Sequence, residues 1–452
     1  MHARSLTDPD VAVAAPGTDA EAPGATGLPG EPAASDALAA DGAISGVGRQ
    51  VRAVRELFGR PLTPYYLLVG IMSLLLLLGL VMVLSTGSIR NLTLGQSPYS
   101  DFFKQLIGVL VGIPLAWLAA RSSPRVFRAA AYPLVAISIV GLALTLISGV
   151  GQSVNGAARW IDIGPLTFQP SEVAKLALVV WGADLLARKE KLGLLADWRH
   201  MLVPLMPGVG LLAMLVMAGD DLGTTFVLVI IFLTLLWVAG APGRVFLLML
   251  ILMGMVLVLL AVTSPYRVDR LTSFLNDNAA TQCAPKYYQA CHGRVALGSG
   301  GLFGVGLGAS GAKWGYVPED WSDFIFAIIG EELGLVGTLC VTALYGALAY
   351  AGLRVARRAE DTFTRLAAAA ITSWIVLQAV VNMGAVIGVL PITGVPLPLV
   401  SEGLSSVLVT MVALGMLMSF ARREPGAREA LAARGPGMAS HVRSWLSPGR
   451  RR

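Results

Sequence analysis

YYLLVGIMSLLLLLGLVMVLST, residues 65–86, runs through 22 positions without a charged side chain. As a helix rising 1.5 Å per residue, such a run reaches across the roughly 30 Å hydrocarbon core of a bilayer. It is continuous, unlike the alternating pattern of a transmembrane barrel strand. Nine more apolar runs follow, at about 103–120, 129–149, 171–187, 201–218, 223–241, 245–264, 323–353, 363–388 and 398–420. Composition agrees with them. Of 452 residues, 55% are hydrophobic and only 14% charged, and mean hydropathy is +0.70, whereas a soluble domain carries roughly a quarter charged residues. Too little polar surface remains to cover an aqueous core, which excludes soluble multidomain, coiled-coil, collagen-like and wholly disordered chains. The expected fold is an all-α polytopic membrane protein with ten transmembrane helices.

Residues 1–48 are rich in Ala, Gly, Pro and Asp and read as a disordered tail, because they bury too little to offset ordering entropy. They hold no signal-peptide core, so the first apolar run acts as an uncleaved anchor. A basic juxtamembrane segment, 49–64, precedes that run. Arg121, Arg125 and Arg128, then Arg188, Lys189, Lys191 and Arg199, then Arg244, then Arg354, Arg357 and Arg358, and lastly Arg422 and Arg423 all fall on the same side of the membrane as that segment. Basic loops stay in the cytoplasm, which places both termini there, including the basic tail 422–452. The same bias accounts for 34 Lys and Arg against 28 Asp and Glu without nucleic acid as a partner. The outer side then receives 150–170 and a large loop, 265–322, between helices 7 and 8. On that oxidising side Cys283 and Cys291, eight residues apart, are expected to form a disulfide. Cys340 reads as a small buried hydrophobe. With only His2, His200, His292 and His441 as imidazoles, no protein-caged metal is expected.

Within the large loop, GSGGLFGVGLGASG (298–311) contains G-x-G-x-x-G at Gly306, Gly308 and Gly311. A dinucleotide site needs a strand before it and a helix after it, and membrane spans flank this one. A tight loop needing close backbone approach and a backbone cradle for a pyrophosphate both remain open. Next, Pro318, Glu319 and Asp320 look like a helix start. Asp323 follows at the outer mouth of the eighth span, where it is either a helix-capping or ion-paired acid or a functional one. At 100° per residue Glu331 falls about 80° from Asp323 and Glu332 about 180°, so Glu331 is the one expected on the same cavity. In the earlier outer segment Glu172 and Lys175, at i,i+3, either pair with each other or contact a substrate. Arg159 beside Trp160 is an interfacial anchor or an anion ligand. Asp221 in GDDLGTT (219–225) reads as the cap of the sixth span.

RWIDIGPLTFQPSEVAKLA, GDDLGTTFVL, VALGSGGLFGVGLGAS, DFIFAIIGEELGLVG and PITGVPLPLVSEGLSS resemble, in order, the motifs of the SEDS family (FtsW and RodA), over residues 65–421. The DFIFAIIGEELG and FQPSE blocks together are highly specific. AKW (312–314) and WGADLLARKEKLG (181–193) are more similar to actinobacterial division members than to the rod-elongation branch. Two positions depart from the family pattern: Trp321 stands where a histidine is common. Ser401-Glu402-Gly403-Leu404-Ser405 stands where SYGGS or SAGGS is usual.

The resemblance implies a peptidoglycan glycosyltransferase that polymerises lipid II at the outer face of the plasma membrane, at the division septum. It implies a class B penicillin-binding protein and other divisome proteins as partners. The family's catalytic aspartate matches Asp323. Lipid II presents a disaccharide-peptide on a pyrophosphate whose prenyl tail stays in the bilayer. Its polymerisation needs a base for the acceptor hydroxyl and cations for the departing pyrophosphate. Asp323 suits the first role. Arg159, Lys175, Lys313, Arg267 and Arg270 are the outer-side cations for the second, with Glu172, Glu331 and Ser401 as further substrate-binding candidates. No cofactor is expected beyond a divalent cation carried by the pyrophosphate. A lipid II flippase and an elongation polymerase are the alternatives.

Overall fold

Each of the ten apolar runs contains a helix in the computed structural model, which describes residues 61–263 (except 148, 150, 155, 156 and 165), 283, 288–427, 429 and 430. The first three are α1 (Thr63–Thr93), α2 (Ser100–Arg121) and α3 (Pro124–Thr145). After a small sheet come α4 (Pro170–Lys191), the short α5 (Trp198–Leu202), α6 (Leu205–Ala218), α7 (Leu222–Val238) and α8 (Gly243–Thr263). The chain continues through α9 (Tyr288–Ser299), α10 (Ile325–Arg358), α11 (Thr362–Ile387) and α12 (Leu404–Ala421). Among the described residues seven helical stretches are long and apolar enough to cross a membrane: α1, α2, α3, α5 with α6, α10, α11 and α12. This is a multi-pass membrane protein. The tail 1–48, most of the juxtamembrane segment, Arg267, Arg270 and residues 431–452 lie outside the described residues.

Packing explains why α4 falls outside that set of seven. It carries Glu172, Lys175 and Asp184, yet from Pro170 to Ala187 all but Val173 are buried, against α3, α7 and α11. Its charges are matched inside the bundle. Lys175 Nζ lies 2.9 Å from Glu172 Oε1; Asp184 receives Arg128 at 2.6 Å and Arg188 at 2.7 Å. Buried ions persist only when paired in this way. Around this centre, α2 packs on α12 and α10 on α11.

The segment between α3 and α4 departs from the all-α expectation. Gly151–Val154, Ala157–Ile163 and Leu166–Phe168 form β1, β2 and β3 of an antiparallel sheet in the order β1-β2-β3. Ile163 pairs with Leu166 across a two-residue connection in which Gly164 takes φ 65°, as tight hairpins require.

The eighth apolar run also differs. No helix starts at Pro318; residues 311–324 are turns and α10 begins at Ile325. The carbonyls of Trp321 and Ser322 accept from the Glu402 amide (3.1 Å) and the Ser401 hydroxyl (2.5 Å) instead of from helical amides. Likewise α12 begins at Leu404, because the preceding stretch is committed to these contacts. Cys340, expected inside, is exposed on α10.

α10 is broken at Gly334, which has φ 67° and ψ −162°. The glycine-rich loop fills the break. Leu335 and Val336 donate to the carbonyls of Gly301 (2.9 Å) and Leu302 (3.2 Å), while Val305 and Gly306 donate to those of Glu331 (2.9 Å) and Glu332 (3.1 Å). Such repair is needed because an unpaired buried backbone group is costly. A Cβ on Gly304 would lie 2.1 Å from the Glu332 carbonyl oxygen, and one on Gly334 2.4 Å from the Gly304 nitrogen. Glycine is the residue that permits this contact.

Candidate active site

Asp323 stands immediately ahead of α10, with a relative exposure of 8%. Its position is fixed through the main chain. Asn382 Nδ2, on α11, donates to the Asp323 carbonyl and to the Val395 carbonyl, both at 2.8 Å. The Ser322 hydroxyl donates to Asp323 Oδ1 at 3.3 Å. Ser401 joins the same turn, since its Oγ donates to Ser322 O and accepts from the Leu397 amide at 2.8 Å. The backbone of Gly394 borders Asp323 Oδ2. Residues 393–403 therefore form a wall against which the 319–324 turn is stitched. Within that turn burial pushes the Asp320 carboxyl up to about 7, against the pull of its own and neighbouring amides and of Arg90.

Glu172 and Lys175 reach this wall from behind. Lys175 Nζ bonds Gln378 Oε1 at 3.2 Å, Trp374 Nε1 donates to the same oxygen at 2.9 Å, and Gln378 Nε2 donates to Pro396 O at 2.9 Å. The pair is thus a buried link between α4, α11 and the wall, and among the described residues Glu172 Oε2 has no hydrogen-bond partner. Gln378 and Asn382 carry the connection, and both escaped the sequence reading. Their signal was present: two amides four residues apart form a polar stripe on an otherwise apolar helix.

The remaining candidates sit elsewhere. Arg159 donates to the Asp220 carbonyl and lies 3.8 Å from Asp221. Asp221 also caps α7 by accepting from the Thr224 amide at 3.0 Å. Lys313 is buried, with Ser85 Oγ at 3.0 Å, Gly308 O at 2.6 Å and Glu332 Oε1 at 3.1 Å. Glu331 accepts from the Ser310 hydroxyl and from the amides of Gly311 (3.1 Å) and Ala312 (3.3 Å). Lys313 and Glu331 therefore hold the glycine-rich loop to α10. The amides of Gly304, Val305, Gly306, Ala309, Gly311 and Ala312 already have protein acceptors, as a tight loop requires.

Cys283 and Cys291 are joined, with Cα atoms 5.5 Å apart. The denatured chain should therefore offer one reactive thiol, Cys340, before reduction and three after it. Mass-spectrometric counting of alkylated cysteines checks this, and three labels without reductant would contradict it.

A buried acid on the turn ahead of α10, tied through Asn382 to α11, in a bundle of apolar helices long enough to cross a bilayer, defines a polytopic membrane enzyme. Residues 65–425 match the model of the FtsW/RodA/SpoVE family, described as "Cell cycle protein", and the chain belongs to that family. It is 44% identical over 377 residues to a "Probable peptidoglycan glycosyltransferase FtsW" of Mycobacterium tuberculosis, covering 83% of this chain and 71% of that one. Among solved structures it is similar to a chain of a peptidoglycan synthase complex that coordinates polymerization and crosslinking, with TM-score 0.61 and 27% identity over 78% of this chain and 96% of that one. It is also similar to the rod shape determining protein RodA of Thermus thermophilus, with TM-score 0.55, 28% identity, and coverage of 79% and 96%.

Proposed function

We propose that the chain is the peptidoglycan glycosyltransferase of the division septum, polymerising lipid II at the outer face of the membrane with Asp323 as its base. The carrying observation is the placement of Asp323: an acid on a turn, outside the helix that follows it, with its main chain anchored by Asn382 and its Oδ2 3.9 Å from where a Cβ on Gly394 would stand. In each cycle Asp323 takes the proton from the acceptor sugar hydroxyl as that oxygen attacks the anomeric carbon of the donor and the pyrophosphate departs. The prenyl tails remain in the bilayer, so the reacting ends are delivered to the boundary where Asp323 stands. Among the described residues no three His, Cys, Asp or Glu side chains converge on one point. The alternative role for Asp323 is as protein ligand of a divalent cation carried by the pyrophosphate. Arg159 is the partly exposed cation available on the outer sheet, while Lys175 acts from within through Gln378 and the wall.

The same reading has ten crossings, both termini cytoplasmic, and loop 265–322 outside, where a class B penicillin-binding protein crosslinks the strands alongside other divisome proteins. A reporter fused after Arg357 should be active as a cytoplasmic fusion and one near Ala279 as an extracytoplasmic fusion. The opposite result at Arg357 overturns the orientation. The function is tested with purified protein and its penicillin-binding partner in detergent, given lipid II. Glycan strands are the expected product. A flippase makes none, and their absence with an active partner overturns the reading.

A further inference from the structure

Three side chains near Asp323 take no part in the chemistry above: Arg90 towards the end of α1, Trp321 on the turn itself, and Glu402 just ahead of α12. They meet. The guanidinium carbon of Arg90 lies 3.9 Å from the centroid of the Trp321 ring, and Arg90 Nη1 lies 3.3 Å from Glu402 Oε2. Asp101, 3.8 Å from the same nitrogen, is buried and held by Asn91 at 2.9 Å and Lys104 at 3.1 Å. Below them the two backbones are already joined, through the Glu402 amide to Trp321 O and the Ser401 hydroxyl to Ser322 O. Trp321 and Glu402 are also two places where the chain departs from the family pattern, and the structure brings both onto one arginine.

A partly exposed ion pair such as this one adds little to fold stability. Its value here is geometric. A planar guanidinium laid on an indole face and pinned by a carboxylate has little freedom left. The turn it clasps lacks helical support, since α10 starts only at Ile325 and Glu319 is in the left-handed region at φ 57°. A catalytic group misplaced by about 1 Å can cost ~10²-fold in rate.

We propose that Arg90, stacked on Trp321 and paired with Glu402, is a positioning residue that locks the Trp321–Asp323 turn in its working orientation. The inference rests on Asp323 being the base. Arg90 acts through the indole ring and the two backbone bonds beneath it, not on the reacting atoms.

The test uses the full chain co-purified with its penicillin-binding partner, with polymerisation rates measured against lipid II concentration. Arg90→Gln and Glu402→Gln should each lower kcat about tenfold, with KM within about twofold and an unchanged melting temperature. The double variant R90Q/E402Q should be no slower than the slower single, because the two act as one unit. Arg90→Lys, which keeps the charge without the planar stack, should recover only part of the rate. Asp323→Asn in the same panel separates the two claims. If it is inactive while Arg90→Gln and Glu402→Gln match wild type, the positioning role is wrong and the base assignment stands. A raised KM at unchanged kcat, full rescue by Arg90→Lys, or a kcat loss that tracks a lower melting temperature also overturns the positioning role. An active Asp323→Asn removes the reading beneath it.

Discussion

Asp323→Asn should lower lipid II polymerisation by at least the ~10²-fold that accompanies loss of a general base. The substitution keeps the size of the side chain and removes its charge and basicity. It should leave the fold alone, because the strong anchor at this position is the bond from Asn382 to the main-chain carbonyl, which the variant retains. Binding of the penicillin-binding partner should persist. Two neighbours on the same turn serve as controls. Asp320 is buried and its carboxyl is pushed up to about 7, so near neutral pH much of it is already uncharged and Asp320→Asn should be mild. Glu319→Gln, on the partly exposed part of the turn, should be milder still. Polymerisation by Asp323→Asn at a near wild-type rate would rule out this mechanism, whatever the family.

Lys313→Met should be the most destabilising of the charge substitutions. Side-chain exposure is 2% for Lys313 and 0% for Glu332, and among the described residues Glu332 Oε2 has no hydrogen-bond partner of its own. Removing the cation strands a carboxylate beside α1 and α10, and breaking a buried pair in this way costs about 3–5 kcal/mol. The expected result is a marked drop in melting temperature and in the yield of monodisperse protein. The double variant Lys313→Met/Glu332→Gln should regain a substantial part, because a neutral amide is cheaper to bury than an unpaired charge. A Lys313→Met protein with wild-type stability and impaired lipid II binding would instead make Lys313 a substrate cation.

The helices were legible from the apolar runs because burial in lipid demands long unbroken apolarity, and nothing else in the chain mimics it. The position of Asp323 was legible from its motif. What stayed hidden depends on contacts between segments far apart in sequence. The angle from Asp323 to Glu331 and Glu332 assumes that Asp323 already lies in the helix, whereas α10 starts only at Ile325. Glu331 is consequently bound to the loop at Ser310 to Ala312. The sheet at 151–168 was hidden because its strands are short and glycine-bounded, and its amides find partners only once three strands align. Trp321 and Glu402 were noticed as separate oddities. Only the structure reveals that Arg90 joins them.

The break at Gly334 also bears on how the protein is made. Beyond it, residues 335–358 continue as helix for about 36 Å at 1.5 Å per residue, enough by itself to cross a hydrocarbon core of about 30 Å. The insertion machinery can therefore accept that portion as a complete anchor. The piece before it, from Ile325 to Leu333, is then surplus to spanning. It is clasped by the glycine-rich loop, which precedes it in the chain. Asp323 lies two residues ahead of this piece, so on the proposed reading the catalytic turn depends on a loop contact that insertion of the anchor does not itself form.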